Sequence, residues 1–297
     1  MRKLANTLLA LLSIVFAASC QQSVSDDVAE DVETGGNNVK ISIAQIEQVP
    51  FNSPANIVRT SDVKQVCSRI LFAVYTSDGT KKMSKAQSST DNDFGKFSTN
   101  LENGKYRIVI LAYNCKYNPT NLAHPDKINF GNNGKMSDTF LWSEEVTVEN
   151  SLEKNVTLKR AVAMFRLKTT DNIPSNVVKM NFQYTGGSST INAITGKGCV
   201  KSQQDETFAV TETGKPGTFE VYTFPRDDSN VLNMTITALD ANENPIATRT
   251  FEDVPITLNK VTQYEGAFFT GEGSGAGNIT FNVTVEDEWD GTIQKEF

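Results

Sequence analysis

Hydrophobic and polar residues alternate one by one through several segments of this chain. In residues 177–185, four apolar side chains share one face of an extended strand: Val178, Met180, Phe182 and Tyr184. A β-strand turns successive side chains to opposite faces, so strict alternation predicts a half-buried strand. The same period recurs in residues 231–241 and 278–286.

Strand-like runs of this kind continue to the end of the chain and are separated by Gly, Asn, Asp and Pro turn residues. They cover residues 39–46, 67–76, 105–115, 141–149, 155–170, 177–185, 217–225, 231–241, 260–270 and 278–286. The run 105–115 is apolar on both faces, as expected of a central strand. No run of ten or more residues has a convincing helical period. The sequence therefore predicts an all-β fold built of β-sandwiches.

The strand-rich part of the chain is long enough for two sandwiches of ordinary size. We place the boundary beside the polar sequence ENSLEK (149–154). This gives an N-terminal β-sandwich over residues 39–152 and a C-terminal β-sandwich over residues 153–297. The glycine-rich sequence GEGSGAG (271–277) predicts a flexible hinge before the last strand.

The start of the chain has the pattern of a secretory signal peptide over residues 1–19. Arg2 and Lys3 precede a mostly apolar stretch, and small residues lie just before Cys20. The apolar stretch is shorter than the roughly 20 residues that a membrane-spanning helix needs. A cysteine at this place resembles a bacterial lipobox, in which the cysteine is lipidated and becomes the new N-terminus. The alternative is an ordinary signal peptide with an incidental cysteine.

Acidic and polar residues follow Cys20 and contain no aromatic side chain through residue 38. Such a composition cannot bury much apolar surface, so residues 20–38 are predicted to be a flexible tether. A lipid on Cys20 would anchor the exported chain to a membrane without spanning it.

The charge and the histidine content exclude several classes of function. A net charge of −7 and the absence of a basic stripe argue against nucleic acid as a partner. His124 is the single histidine, which excludes a two-histidine metal site and leaves one candidate base for a catalytic triad. Paired acids such as Glu144 and Glu145 could serve a glycosidase, although adjacent acids on turns usually form a solvated face. We therefore expect no metal, no cofactor and no enzymatic activity.

Three cysteines remain after Cys20. Cys67 and Cys115 both fall in strand-like runs of an exported chain, so they could pair as a disulfide across a sheet. The alternative is that both are small buried hydrophobic residues. The chain has no C-x-x-C spacing that would indicate a thiolate metal site.

Several dispersed segments resemble one protein family. In the second half they are "LKRAVAMFRLKTTDNIPSNVVKMNFQYTGGSSTINAITGKG", "EVYTFP", "MTITALDA" and "FEDVPITLNKVTQYEGAFF", and in the first half "CSRILFAVYTSDGTK", "DFGKFSTNLENGKYRIVILAYN" and "DTFLWSEEVTV". Together they resemble the FimB-type fimbrial subunit and anchor lipoproteins of the Bacteroidales, which belong to type V pili. The resemblance covers roughly residues 40–297.

The resemblance implies two transthyretin-like β-sandwiches in tandem and a lipid anchor in the cell outer membrane. It also implies a place in a fimbrium, where the protein holds the pilus and contacts the stalk pilin. Stalk subunits of such pili polymerise by strand exchange after a protease trims an N-terminal strand behind an arginine.

Two segments are candidates for that exchange. Cleavage after Arg59 would remove the lipid-bearing segment, which an anchor must keep, so we expect Arg59 to stay uncleaved and residues 39–46 to stay paired in their own domain. Residues 278–286 have the alternation of a donor or edge strand, and the side chains that carry it are Ile279, Phe281, Val283 and Val285. The alternative is that they form the last strand of their own domain.

These observations together predict a structural anchor subunit at the cell surface. The first alternative is a fimbrial tip adhesin or a surface glycan-binding lipoprotein, for which Trp289 is the main sequence hint. The second alternative is a surface glycosidase, which the single histidine disfavours.

Overall fold

The computed structural model describes residues 37–48, 59–131, 136–201, 203–270, 282–286 and 293–294. These residues form twenty strands and one short helix. The first half contains β1 (Asn37–Gln48), β2 (Arg59–Ser61), α1 (Val63–Val66), β3 (Arg69–Thr76), β4 (Lys81–Ser88), β5 (Lys96–Leu101), β6 (Gly104–Tyr113), β7 (Ile128–Asn129), β8 (Thr139–Val148) and β9 (Leu152–Arg160). The second half contains β10 (Ala163–Thr169), β11 (Lys179–Thr185), β12 (Thr190–Asn192), β13 (Lys197–Gly198), β14 (Gln204–Ala209), β15 (Thr218–Thr223), β16 (Val231–Leu239), β17 (Pro245–Pro255), β18 (Val261–Gly266), β19 (Asn282–Glu286) and β20 (Ile293–Gln294).

Strands of the first half surround one core. They are hydrogen bonded in the order β2-β1-β9-β8-β6-β3-β4, and β5 pairs with β1. Alternate side chains of these strands point into a cluster of buried residues, among them Val39, Ile70, Phe97, Ile108 and Leu158. Phe72 and Phe97 stack inside this cluster with ring centroids 4.9 Å apart. The period-2 pattern thus directs one face of each strand to the same interior.

Strands of the second half form two sheets that face each other. One sheet has the order β15-β10-β18-β19-β20 and the other the order β14-β11-β16-β17. The core between them includes Phe165, Met180, Phe182, Ile236 and Phe268. Of the four residues predicted to share the inner face of residues 177–185, Met180, Phe182 and Tyr184 are 1 % exposed or less, whereas Val178 lies before β11 and is half-buried.

A third core joins the two halves. The outer faces of β3 and β6 supply Leu71, Val109, Leu111 and Tyr113, and residues of the second half pack on them, including Met164, Ile191, Phe224 and Val261. We call this cluster the shared core. The ring of Phe130 lies between Tyr113 and Phe224, with centroids 5.4 and 5.5 Å away. Both faces of β3 and β6 are therefore buried, which explains why residues 105–115 are apolar on both faces.

A small three-stranded sheet also links the halves. It has the order β13-β12-β7, and Ile191 of β12 pairs with Ile128 of β7. The glycine-rich sequence YTGGSST precedes β12 and passes very close to neighbouring strands of the second half. A Cβ on Gly187 would lie 2.0 Å from Thr223 Oγ1, and Gly186 has a φ of +98°. The two glycines thus serve close packing between strands.

Strand β9 begins at Leu152, where the sequence predicted the end of the N-terminal sandwich. Its residues Val156 and Leu158 point into the core of the first half, and the strand pairs with β1. The predicted single run 155–170 is two strands, and the chain passes between the halves at Ala161 and Val162. Residues 37 and 38, predicted as tether, are the first residues of β1.

The possible disulfide between Cys67 and Cys115 is not formed in this structure, since both thiols are free. Cys67 lies in the core of the first half, whereas Cys115 lies in the shared core. Burial raises the pKa of both thiols, so each behaves as a small buried hydrophobic residue. This is the alternative that the sequence left open.

Candidate functional site

The first strand of the folded chain is held on both sides. Residues 37–42 of β1 pair antiparallel with β5, and residues 39–46 pair in parallel with β9. Val39 and Ile41 are each 1 % exposed, and Ile46 is fully buried. If β1 were absent, β5 and β9 would each lose their hydrogen-bonding partner there, and an apolar slot would open between them. In this structure the chain's own β1 fills the slot.

Arg59 is the first residue of β2, which forms an antiparallel pair with the end of β1. In this pair Arg59 lies opposite Gln48 and Ser61 opposite Ile46. The backbone next to the candidate cleavage site is thus part of a sheet, and local pairing must open before a protease can bind it in extended form.

Two of the four residues in the candidate donor strand can be located. Val283 and Val285 lie in β19, where they pair with Tyr264 and Thr262 of β18, and Val285 also pairs with Ile293. Ile279 and Phe281 lie outside the described residues. Strand β19 therefore extends the sheet that contains β10 and β18.

The end of β18 is fixed by one carboxylate. Asp171 accepts hydrogen bonds from the backbone N–H groups of Phe268 (2.8 Å), Phe269 and Thr270 (both 2.7 Å), and from the Thr270 hydroxyl (3.0 Å). Burial raises the pKa of Asp171, and these hydrogen bonds lower it by more, so the net pKa lies below the ordinary value. We call this arrangement the Asp171 latch. It lies immediately before the segment that leads to β19.

The junction between the halves carries a buried ion pair. Arg160, the last residue of β9, contacts Asp138 through Nε and Nη2 at 2.6 and 2.7 Å. Its third nitrogen, Nη1, donates to Asn259 Oδ1 of the second half at 3.1 Å. The guanidinium also lies over the Phe140 ring, 4.8 Å from its centroid. One arginine thus joins the first half to the loop before β18.

The exposed face of the sheet β14-β11-β16-β17 is polar and carries few charges. Its strands place side chains opposite one another in rows: Asp205, Gln183, Thr235 and Thr250 form one row, and Thr207, Asn181, Thr237 and Thr248 form the next. A groove of about 280 Å³ lies at the edge of this face, and Asn233, Gln203 and Glu252 also line it. We call the two rows and the groove the polar face.

The remaining chemical candidates contact other residues of the chain. His124 Nδ1 lies 3.0 Å from the carbonyl oxygen of Gly79 in a loop contact. Glu144 forms an ion pair with Lys154, whose Nζ lies 5.4 Å from the ring centroid of Trp142. Glu145 lies 3.8 Å from Arg107. These acids and this tryptophan thus have protein partners, and the arrangement is that of a solvated sheet surface.

Some of the predicted features cannot be located. Cys20, the signal peptide and Trp289 lie outside the described residues. Within the described ranges, no group of three His, Cys, Asp or Glu side chains is placed to hold a metal ion. The same ranges contain no helix long and apolar enough to cross a membrane.

Sequence reasoning missed the shared core, the Asp171 latch and the polar face. The apolar character of both faces of residues 105–115 was the available signal for the shared core. A lone aspartate that accepts hydrogen bonds from residues almost a hundred positions away leaves no local signal in a sequence.

Comparisons with known proteins identify a family and a fold. The profile of a family of unknown function (DUF6562) matches residues 32–296. No curated protein matches the chain.

Three similar solved structures come from Bacteroidales species. A DUF1812 protein of Bacteroides thetaiotaomicron, to which polysaccharide binding is ascribed, has a TM-score of 0.50 at 10 % identity and covers 87 % of this chain and 99 % of its own. A candidate adhesin of Bacteroides ovatus has a TM-score of 0.49 at 14 % identity, with coverage of 75 % and 86 %. The fimbrial anchor protein Mfa2 of Porphyromonas gingivalis has a TM-score of 0.44 at 9 % identity, with coverage of 84 % and 96 %.

At these identities the likeness concerns the fold. The all-β fold predicted from the sequence is confirmed.

Proposed function

Because the chain belongs to the DUF6562 family, whose function is unknown, we propose its function from its strand arrangement and its N-terminal sequence. The protein is an outer-membrane lipoprotein subunit of a type V fimbrium, lipidated at Cys20. It anchors the pilus to the cell surface and contacts the stalk pilin by β-strand complementation. Its role is to bind the stalk pilin and to hold the pilus at the cell surface, without catalysis.

One observation carries the proposal: β1 fills the slot between β5 and β9. A subunit that accepts a neighbour's strand must vacate such a slot, and an anchor must keep the segment that joins it to its lipid. Here the slot is filled by Val39, Ile41 and Ile46, which are almost fully buried. The pairing of Arg59 in β2 supports retention of this segment, because cleavage after Arg59 needs an accessible, extended backbone.

A filled first slot leaves the C-terminal strand as the segment that can exchange partners. Strand β19 is joined to the rest of the chain by residues 271–281, which include the glycine-rich sequence 271–277. Backbone pairing holds it to β18 through Val283 and Val285, and the same pairing could form with a pilin. In this proposal the stalk pilin takes up β19, or a strand of the pilin takes its place beside β18.

A deletion experiment tests the proposal. We expect cells without this protein to release their fimbriae into the medium, and a plasmid copy of the wild-type gene to restore attachment. A Cys20→Ala copy should yield folded protein that leaves the membrane and fails to restore attachment. A copy ending at residue 277 should stay in the membrane but fail to retain pilin in a pull-down. Fimbriae that remain attached to the deletion strain would refute the anchor function.

The polar face supports a second candidate function, which is binding of a neutral surface glycan. Its rows of amides and hydroxyls match the hydrogen-bonding groups of a sugar, and Asp205 is the one charged residue in the two rows. A glycan array with wild-type protein and the double variant Gln183→Ala/Asn233→Ala tests it. Glycan binding that the variant loses, together with fimbriae that stay attached in the deletion strain, would favour an adhesin.

A further inference from the structure

Both halves of the molecule place their first strand in parallel beside a late strand. In the first half β1 pairs with β9 over seven residue pairs, from Val39↔Leu152 to Ile46↔Leu158. In the second half β10 pairs with β18 over six residue pairs, from Met164↔Val261 to Thr169↔Gly266. The two halves thus repeat one arrangement, although the sequence has no strong internal repeat.

Parallel pairing decides how these strands respond to tension. Suppose a pull acts on the start of β1 and on the end of β9. Because the strands are parallel, these two points lie at opposite ends of the pair, so the strands are pulled past each other. All hydrogen bonds between them are then stretched together. In an antiparallel pair the same two points lie at one end, and the bonds open one at a time.

The strand that bears the load is supported on its second side in each half. Residues 37–42 of β1 pair with β5, and residues 163–168 of β10 pair with β15 in antiparallel register. Apolar side chains of both strands are buried, including Ile41 and Phe165 at 1 % exposure. Sliding either strand would therefore break two ladders of hydrogen bonds and expose apolar side chains to water.

A very short connection joins the parallel pair β1–β9 to the parallel pair β10–β18. Strand β9 ends at Arg160 and β10 begins at Ala163, and the two residues between them are buried in the shared core. Arg160 itself is fixed by Asp138 and Asn259 at hydrogen-bonding distance. Tension that leaves the first pair at Arg160 thus enters the second pair directly.

The far end of the second pair is also fixed. The N–H of Thr170 donates to the carbonyl oxygen of Gly266 at 2.9 Å, just beyond the last residue pair of β10 and β18. The Asp171 latch then holds the next residues, Phe268 to Thr270. The chain is therefore fixed by hydrogen bonds at the point where it leaves β18.

We propose that the two halves act as two shear clamps in series, which carry a tensile load from the N-terminal tether to the C-terminal segment. The inference rests on the proposed function for the source of the load, which is the pilus pulling against the membrane. The mechanical property itself belongs to the strand arrangement and can be measured on the isolated protein.

Single-molecule force spectroscopy on residues 20–297, produced without the signal peptide so that Cys20 is not lipidated and keeps a free thiol, tests the inference. The load is applied between Cys20 and a new cysteine, Ser274→Cys, placed just beyond the Asp171 latch. The exposed Cys199 is replaced by serine, whereas Cys67 and Cys115 are buried and stay. The matched control carries Cys20→Ser, Asn230→Cys and Thr257→Cys, which load one end of the antiparallel pair β16 and β17. Asn230 and Thr257 are exposed, and circular dichroism confirms that both proteins are folded.

We expect the first unfolding event between Cys20 and position 274 to shift to higher force than the first event of the control at the same loading rate. Equal or lower force would overturn the inference. The result is independent of the anchor function, since fimbriae that stay attached without this protein would refute that function and leave the force comparison unchanged.

Discussion

Arg160 and Asp138 form a two-pronged ion pair at the junction of the two halves, with N–O distances of 2.6 and 2.7 Å. The arginine side chain is 5 % exposed and the aspartate side chain 19 % exposed. A pair in such a place contributes through the cost of breaking it, because a charge left alone in the interior is strongly unfavourable. Its position at the last residue of β9 makes it a determinant of how the halves are joined.

We expect Asp138→Asn to lower the free energy of unfolding by about 3 kcal/mol, because it leaves the Arg160 guanidinium buried beside a neutral amide. Denaturant unfolding followed by circular dichroism measures the change. The matched control is Asp227→Asn, which removes an exposed partner of Lys197 at 3.9 Å and should cost less than about 1 kcal/mol. Equal changes in the free energy of unfolding for the two variants would show that the buried ion pair contributes no more to stability than the exposed one.

The shared core predicts that damage in the second half reaches the first. Phe224 is fully buried and its ring lies 5.5 Å from that of Phe130. Phe224→Ala should cost about 3–5 kcal/mol and should raise hydrogen exchange in β3 and β6 as well as in β15. The control Phe251→Ala removes a ring from the core of the second half alone. Faster exchange confined to the second half in both variants would argue for two independent sandwiches.

Two buried tyrosines should respond in opposite ways to loss of their hydroxyl groups. The Tyr75 hydroxyl lies in the interior and has no hydrogen-bond partner among the described residues, so Tyr75→Phe should raise the free energy of unfolding by about 1 kcal/mol. The Tyr184 hydroxyl donates to Glu206 Oε1 at 2.8 Å, so Tyr184→Phe should lower it by about 2 kcal/mol. Thermal unfolding of the two variants side by side measures both. Destabilisation by Tyr75→Phe would mean that its hydroxyl has a favourable contact.

The Asp171 latch predicts a contribution to stability that depends on pH. The pKa of Asp171 is lower in the folded chain than in the unfolded chain. The contribution of this carboxylate to stability is therefore complete above the ordinary carboxyl pKa of about 3.9. It is lost as the pH falls through the folded value. Asp171→Asn should therefore destabilise the protein at pH 7, and the difference from wild type should shrink below about pH 4.

Urea unfolding of wild type and Asp171→Asn between pH 3 and pH 7 checks this prediction. Thr270→Val is the control, because it removes one hydroxyl donor and keeps the carboxylate. The control should retain the pH dependence of the wild type. A difference between wild type and Asp171→Asn that is constant across this range would contradict the role of the charge.

The sequence predicts strands best where one face is buried. Strands β11 and β16 alternate strictly because one side meets the core and the other meets water. Strands β4, β14 and β17 were not predicted. They lie at sheet edges, where both faces carry polar residues such as Lys81, Lys85 and Asp205. Edge strands are polar for a physical reason, which is to prevent pairing with other chains.

Contacts between distant parts of the chain could not be predicted from local patterns. The run 155–170 looks continuous because Ala161 and Val162 are apolar, yet they are apolar because they lie in the shared core between two strands. A Cβ at Gly186 would clash with the Val231 carbonyl and one at Gly187 with the Thr223 side chain, and this crowding appears in the fold alone. The parallel register of β1 with β9 likewise depends on residues more than a hundred positions apart.

The N-terminus of the protein on the cell surface tests the anchor function most directly. Mass spectrometry of the protein recovered with fimbriae and outer membranes reads this terminus. We predict a chain that begins at a lipidated Cys20 and retains β1, with Arg59 still joined to Thr60. A mature chain that begins at Thr60 would contradict it, because the lipid-bearing segment and β1 would then be lost and the slot between β5 and β9 would be open for a partner's strand.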